Sequence, residues 1–132
     1  MLSKRIIPTL LLKNDELIHR IKFDILTDRY VGDPLNTINV FNQFMVDEMI
    51  IIDVNSTKYK NPINFELLKI LASEAFFPLT YGGGISRVED AEKIINSGFE
   101  KIIINNKSFT NIELIKNCSK NIGAQSVIVS VD

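Results

Sequence analysis

Tryptophan is absent, histidine and cysteine occur once each as His19 and Cys118, and proline and glycine supply only 4 and 6 of 132 residues. A single cysteine can close no internal disulfide and offers no thiolate pair for a metal, so a reducing, cytoplasmic setting is expected. His19 has no second ligand-type residue near it in sequence, so no metal site is expected, nor is any cofactor. Neither charge dominates: 15 Lys and Arg face 16 Asp and Glu, a formal net charge of −1. That balance advertises no field for a nucleic acid. No run approaches the roughly 18 apolar residues that span a bilayer. The segment Ile6 to Leu12 is only strand-long, contains Pro8 and is followed by charges rather than a small-residue cleavage site, so neither a membrane span nor a secretory leader is expected.

What is present is an ordinary globular composition, 45% apolar and 23% charged in 15.0 kDa, which predicts a single domain over residues 1–132. Near-continuous apolar runs predict strands at Arg5–Leu12, Glu48–Val54, Phe77–Tyr81, Lys101–Asn105 and Ser126–Val131, of the kind that is covered on both faces. Helix-period segments lie between them at Pro34–Met45, Asn64–Ala75, Val88–Ser97 and Asn111–Ile122, the last two ended by Gly98 and Gly123. The order βαβαβαβαβ is that of an α/β protein with parallel strands. Length favours an open doubly wound sheet, but the sequence ends at Asp132 directly after a fifth strand. The reading adopted is an incomplete (β/α)₈ barrel: four βα units plus a fifth strand. Residues 13–33 read as one long irregular segment, the length of a binding loop or lid.

Gly82, Gly83 and Gly84 follow the third expected strand and precede a helix, an arrangement that lets backbone N–H groups meet phosphate oxygens but that also suits a plain β-to-α turn. Asn105 and Asn106 close the next strand and either donate to the same anion or cap. Asp53 and Asp132 end strands on the side where βα loops emerge; Asp53 is either a catalytic carboxylate or a structural acceptor. Arg5, Glu48 and Lys101 stand at the opposite strand ends, where spacing alone favours a solvated ion-pair cluster.

The ordered set Lys4-Arg5-Ile6-Ile7-Pro8, Gly32-Asp33-Pro34, Asp47-Glu48 running to Ile52-Asp53, Tyr81-Gly82-Gly83-Gly84-Ile85, Lys101 to Asn105, and Gln125 to Asp132 resembles the cyclase subunit of imidazole glycerol phosphate synthase. The likeness runs the full length and covers the N-terminal half of that family's barrel. It implies a (β/α)₈ fold, a glutaminase partner docked at the barrel bottom, and ammonia entering there through a ring of charged residues. Arg5, Glu48 and Lys101 resemble three members of that gate. Gly83, Gly84, Asn105 and Asn106 resemble the phosphate-binding positions, with Asn106 where the family usually has Thr. Asp53 and His19 fall among the substrate-contacting positions, and Asp132 matches one of two acid/base aspartates.

The other aspartate is replaced. The family pattern Cys-Leu-Asp-Val-Lys-Asp-Gly reads here as Thr9-Leu10-Leu11-Leu12-Lys13-Asn14-Asp15, and His19-Arg20 stands for a usual Lys-Gly pair. A kept entrance with half of the acid/base pair gone resembles the paralogues of surface-polysaccharide biosynthesis. That resemblance implies a barrel that passes glutamine-derived ammonia to a sugar amidotransferase, with a phosphorylated small molecule as the other ligand. The alternatives are a genuine histidine-pathway cyclase, and a half-barrel that binds phosphate and either lacks its C-terminal half or self-associates.

Overall fold

The computed structural model describes residues 3–59, 61–105 and 112–131. Five parallel strands form its centre: β1 (Thr9–Lys13), β4 (Met49–Asp53), β5 (Leu79–Gly82), β6 (Lys101–Ile104) and β7 (Val127–Val129). Two antiparallel strands, β2 (Glu16–Ile21) and β3 (Asp24–Gly32), extend the β1 edge, so the sheet order is β3-β2-β1-β4-β5-β6-β7. Helices α1 (Pro34–Phe44), α3 (Phe65–Glu74), α4 (Val88–Asn96) and α5 (Ile112–Ile122) cross between the parallel strands, and a short α2 (Val54–Tyr59) follows β4 directly. This is the arrangement of four βα units and a fifth strand, half of a (β/α)₈ barrel. No helix among the described residues is long and apolar enough to cross a membrane.

Residues 13–33 are the main departure from the sequence reading, because they form paired antiparallel strands, with two register shifts between β2 and β3, and not a loop. Lys13 pairs with Glu16 and Ile21 with Asp24, leaving two-residue turns at Asn14-Asp15 and Lys22-Phe23. All four turn residues have φ between 50° and 64°. Such left-handed pairs match the twist of a tight hairpin. The first strand starts later than expected, at Thr9. Pro8 has no N–H to donate, and residues 6–8 still pair beside β4 through Asp47 N to Ile6 O at 3.1 Å and Ile50 N to Pro8 O at 2.9 Å. Strand β7 is shorter than expected at both ends, and Ala124–Ser126 forms a 3₁₀ turn just before it.

Strand register defines two faces. Leu10, Ile51, Tyr81, Ile102 and Val127 align across the sheet and pack with Ile38, Leu68, Leu71, Ala91, Ile94 and Cys118 from the helices. The opposite row is Leu11, Ile52, Gly82, Ile103 and Ile128, which would line a barrel interior. Local chemistry fixes the helix starts. The Asp33 carboxylate accepts from Asn36 N at 3.1 Å ahead of Pro34, and Asn64 Oδ1 accepts from Leu67 N at 3.1 Å. Each cap satisfies a first-turn donor that the helix itself cannot.

Candidate functional site

At the lower strand ends the register brings together three residues far apart in sequence. Glu48 stands one residue before β4, Lys101 opens β6 in register with Thr80, and Arg5 precedes β1. The Glu48 carboxylate is buried, accepting from Arg5 Nη2 at 2.7 Å and Lys101 Nζ at 3.3 Å. Strand alternation puts all three on the interior face, below the apolar row that begins with Leu11 and Ile52. The Glu48 carboxylate is thus paired with two cations at the lower edge of this face.

At the upper ends, Asp53 takes a structural role. It lies in register with Leu12, on the helix-covered face and away from the row that contains Leu11. Its Oδ1 accepts from Asn55 N at 3.0 Å and Ser56 N at 2.9 Å, capping α2. Burial raises its carboxyl above the ordinary value, against the pull of those two N–H groups. One oxygen of its carboxylate is thus committed to the start of α2.

The glycines of the turn are accounted for by packing onto this same element. A Cβ on Gly83 would run into the Asp53 carbonyl oxygen, and one on Gly84 into Ser56 Oγ; both glycines have positive φ, 120° and 69°. Asn105 follows β6 and is exposed. His19, expected in a loop at the mouth, lies instead on β2 opposite Arg29 and is exposed. Alternation gives it the face of buried Leu17 rather than that of Ile18 and Leu11, so it does not join the interior row. Asn106 and Asp132 fall outside the described residues.

Sequence reasoning missed a cleft of about 350 Å³ lined by Asn14, Asp15, Asp53, Asn55, Ser56 and Asn64 among others. Asn55 Nδ2 donates to Asn14 Oδ1 at 2.5 Å, and Asn64 Nδ2 to Asp15 Oδ2 at 3.0 Å. Its oxygen-rich lining suits a ligand carrying hydroxyl or N–H donors better than an anion. The Asn14-Asp15 turn was the available signal, but its partners lie some forty residues on. Among the described residues no group of three His, Cys, Asp or Glu is placed to hold a metal ion.

Comparison with known proteins agrees with this architecture. The chain is 42% identical over its whole length to "Putative imidazole glycerol phosphate synthase subunit hisF2" of Pseudomonas aeruginosa, covering 52% of that protein. It is 39% identical to a Leptospira interrogans protein named "Putative imidazole glycerol phosphate synthase subunit HisF" and 34% identical to the imidazole glycerol phosphate synthase subunit HisF of Streptococcus mutans, covering 51% and 52% of them. The chain thus spans about half the length of these relatives. The model of the family described as histidine biosynthesis protein matches residues 5–132. With a family match over nearly its whole length, this chain belongs to the histidine biosynthesis protein family, as a HisF-like half-barrel.

Proposed function

We propose that this chain is the N-terminal half of a HisF-like barrel that accepts ammonia from a glutaminase partner at its lower face and passes it upward for synthesis. The observation that carries this reading is the Arg5–Glu48–Lys101 cluster, a buried carboxylate with two cations at the foot of the interior face. Ammonia is small and neutral, so an apolar row such as Leu11, Ile52, Ile103 and Ile128 admits it, while the net positive charge of the cluster repels ammonium. Gly83, Gly84 and Asn105 would hold a phosphate of the acceptor, and Asp132 would supply its one acid/base carboxylate.

The acceptor on this reading is a sugar that becomes amidinated in surface-polysaccharide synthesis, by way of a sugar amidotransferase. Support for that finer assignment is Leu11: it sits on the interior row where the related cyclases carry an aspartate, and a hydrocarbon side chain moves no proton. The experiment compares glutamine-driven with ammonium-driven product formation in the complete complex. Glu48→Gln and Lys101→Ala should lower the glutamine-driven rate about tenfold or more while leaving the ammonium-driven rate near wild type. Unchanged glutamine-driven transfer rejects the gate.

A second reading, genuine cyclisation in histidine synthesis, is favoured by the names of the relatives at 34–42% identity. It requires Asp132 to perform the proton transfers alone. Complementation of a histidine auxotroph by the unmodified gene would support it, and failure would reject it.

A further inference from the structure

Three charged side chains from three strands meet on the face that carries Leu11. Arg20 Nε donates to Asp28 Oδ1 at 2.6 Å, Arg20 Nη2 donates to Asp28 Oδ2 at 2.8 Å, and Lys13 Nζ donates to the same Oδ2 at 2.7 Å. The cluster is half-buried, with the side chains of Lys13, Arg20 and Asp28 only 26%, 11% and 10% exposed. Leu11 faces Ile18, and Ile18 faces Tyr30, so alternation along each strand gives Lys13, Arg20 and Asp28 the same face as Leu11. Lys13 closes β1 at its upper end, and β2 runs antiparallel from there, so Arg20 and Asp28 lie beyond the Leu11–Ile18 pair and the Lys13 ammonium reaches down to them.

The hairpin does not depend on this cluster for its ladder. Pairing steps from His19–Arg29 to Ile21–Asp24, so Arg20 sits at an irregularity, and the Ile21 N–H goes to Thr27 Oγ1 at 2.8 Å. The Asp28 side chain can leave without breaking a backbone pair. What it would leave behind is a guanidinium edge and an ammonium aimed at one point, the geometry that receives two oxygens of a phosphate as readily as those of a carboxylate. The hydrogen bonds from Arg20, and then those from Lys13, hold the Asp28 carboxyl well below the usual carboxylate range, so it is an anion at any working pH. We propose that Lys13 and Arg20 form a subsite for the phosphate group of a small phosphorylated ligand, occupied in the free protein by the Asp28 carboxylate, which the ligand displaces. The subsite is separate from the Gly83–Gly84 turn and does not rest on the ammonia reading.

The test is titration of the complete protein with inorganic phosphate at fixed ionic strength, followed by calorimetry, with circular dichroism melts to establish that each variant is folded. Asp28→Asn keeps the shape and removes the competing charge, so it should bind phosphate about five- to tenfold more tightly than wild type. Lys13→Ala and Arg20→Ala should each weaken binding about tenfold. The proposal is overturned if Asp28→Asn binds no tighter than wild type, or if phosphate stays bound in folded Arg20→Ala and is lost instead in Asn105→Ala.

Discussion

Glu48 accepts the Arg5 guanidinium at 2.7 Å although Arg5 is 56% exposed in its side chain and Glu48 only 9%. The unequal burial means that the carboxylate needs a partner more than either cation does. Lys101, at 3.3 Å, is the second. Losing one cation leaves Glu48 paired with the other, so Arg5→Ala should cost less than about 1 kcal/mol and Lys101→Ala about 1–2 kcal/mol. The double variant leaves a buried carboxylate unpaired and should cost more than the sum of the two. Urea unfolding of the four proteins checks this; simple additivity would show that solvent already satisfies Glu48.

Gly84 packs directly against Ser56. A Cβ at Gly84 meets the Ser56 hydroxyl oxygen at a distance no real contact allows, and φ is +69°. Gly84→Ala should therefore lose about 2–3 kcal/mol, of which about 1 kcal/mol is backbone strain that no neighbour can relieve. Ser56 Oγ also donates to Asn61 O at 2.8 Å, so Ser56→Ala has a cost of its own. In the Ser56→Ala background, the added penalty of Gly84→Ala should shrink toward the strain alone. A double-mutant cycle on thermal midpoints measures the coupling, and its absence would separate the turn from α2.

The parts of this fold that sequence reveals are those written in local periodicity. Met49-Ile50-Ile51-Ile52 and Lys101-Ile102-Ile103-Ile104 announce strands covered on both faces, and helices α1 and α3 carry their caps at Asp33 and Asn64. The hairpin escaped because Glu16, His19 and Arg20 interrupt its apolar positions and its second turn, Lys22-Phe23, has neither Asn nor Gly. Helix α2 escaped because six residues show no period. Without α2 the cap formed by Asp53 could not be distinguished from a carboxylate at the barrel mouth. The Arg5–Glu48–Lys101 cluster depends on strand register across residues 43 and 53 positions apart; the strand starts put the three charges at one end of the sheet, but not the burial of Glu48 between the two cations.

Phe23 and Leu26, at the hairpin tip, are each 93% exposed, so the outer hairpin gains little from apolar burial. The ion pairs of Asp28 add to what the hairpin's backbone ladder supplies. A carboxyl lowered in the folded state stabilises above its unfolded value of 3.8, and that contribution disappears as pH falls through the lower folded value. Asp28→Asn should therefore lose about 2 kcal/mol near pH 7, with the gap to wild type closing only in strong acid. Hydrogen exchange of the hairpin amides against pH reads it locally; a gap that closes above pH 4 would assign the acid response to another group.

Asp53 should respond to acid in the opposite sense. Burial raises its folded value above 3.8, so ionisation costs stability at neutral pH and that cost is relieved as pH falls through the raised value. Its carboxylate still caps α2 through Asn55 N and Ser56 N, a role that asparagine can fill without a charge. Asp53→Asn should thus be neutral or slightly stabilising at pH 7, with its advantage over wild type fading in mild acid. Asp53→Ala, which removes the acceptor as well, should cost about 1 kcal/mol. Chemical denaturation of both variants at pH 7 and pH 4 decides the matter. If Asp53→Asn were as damaging as Asp53→Ala at pH 7, the negative charge itself would be holding α2 in place, and the cap would be chiefly electrostatic.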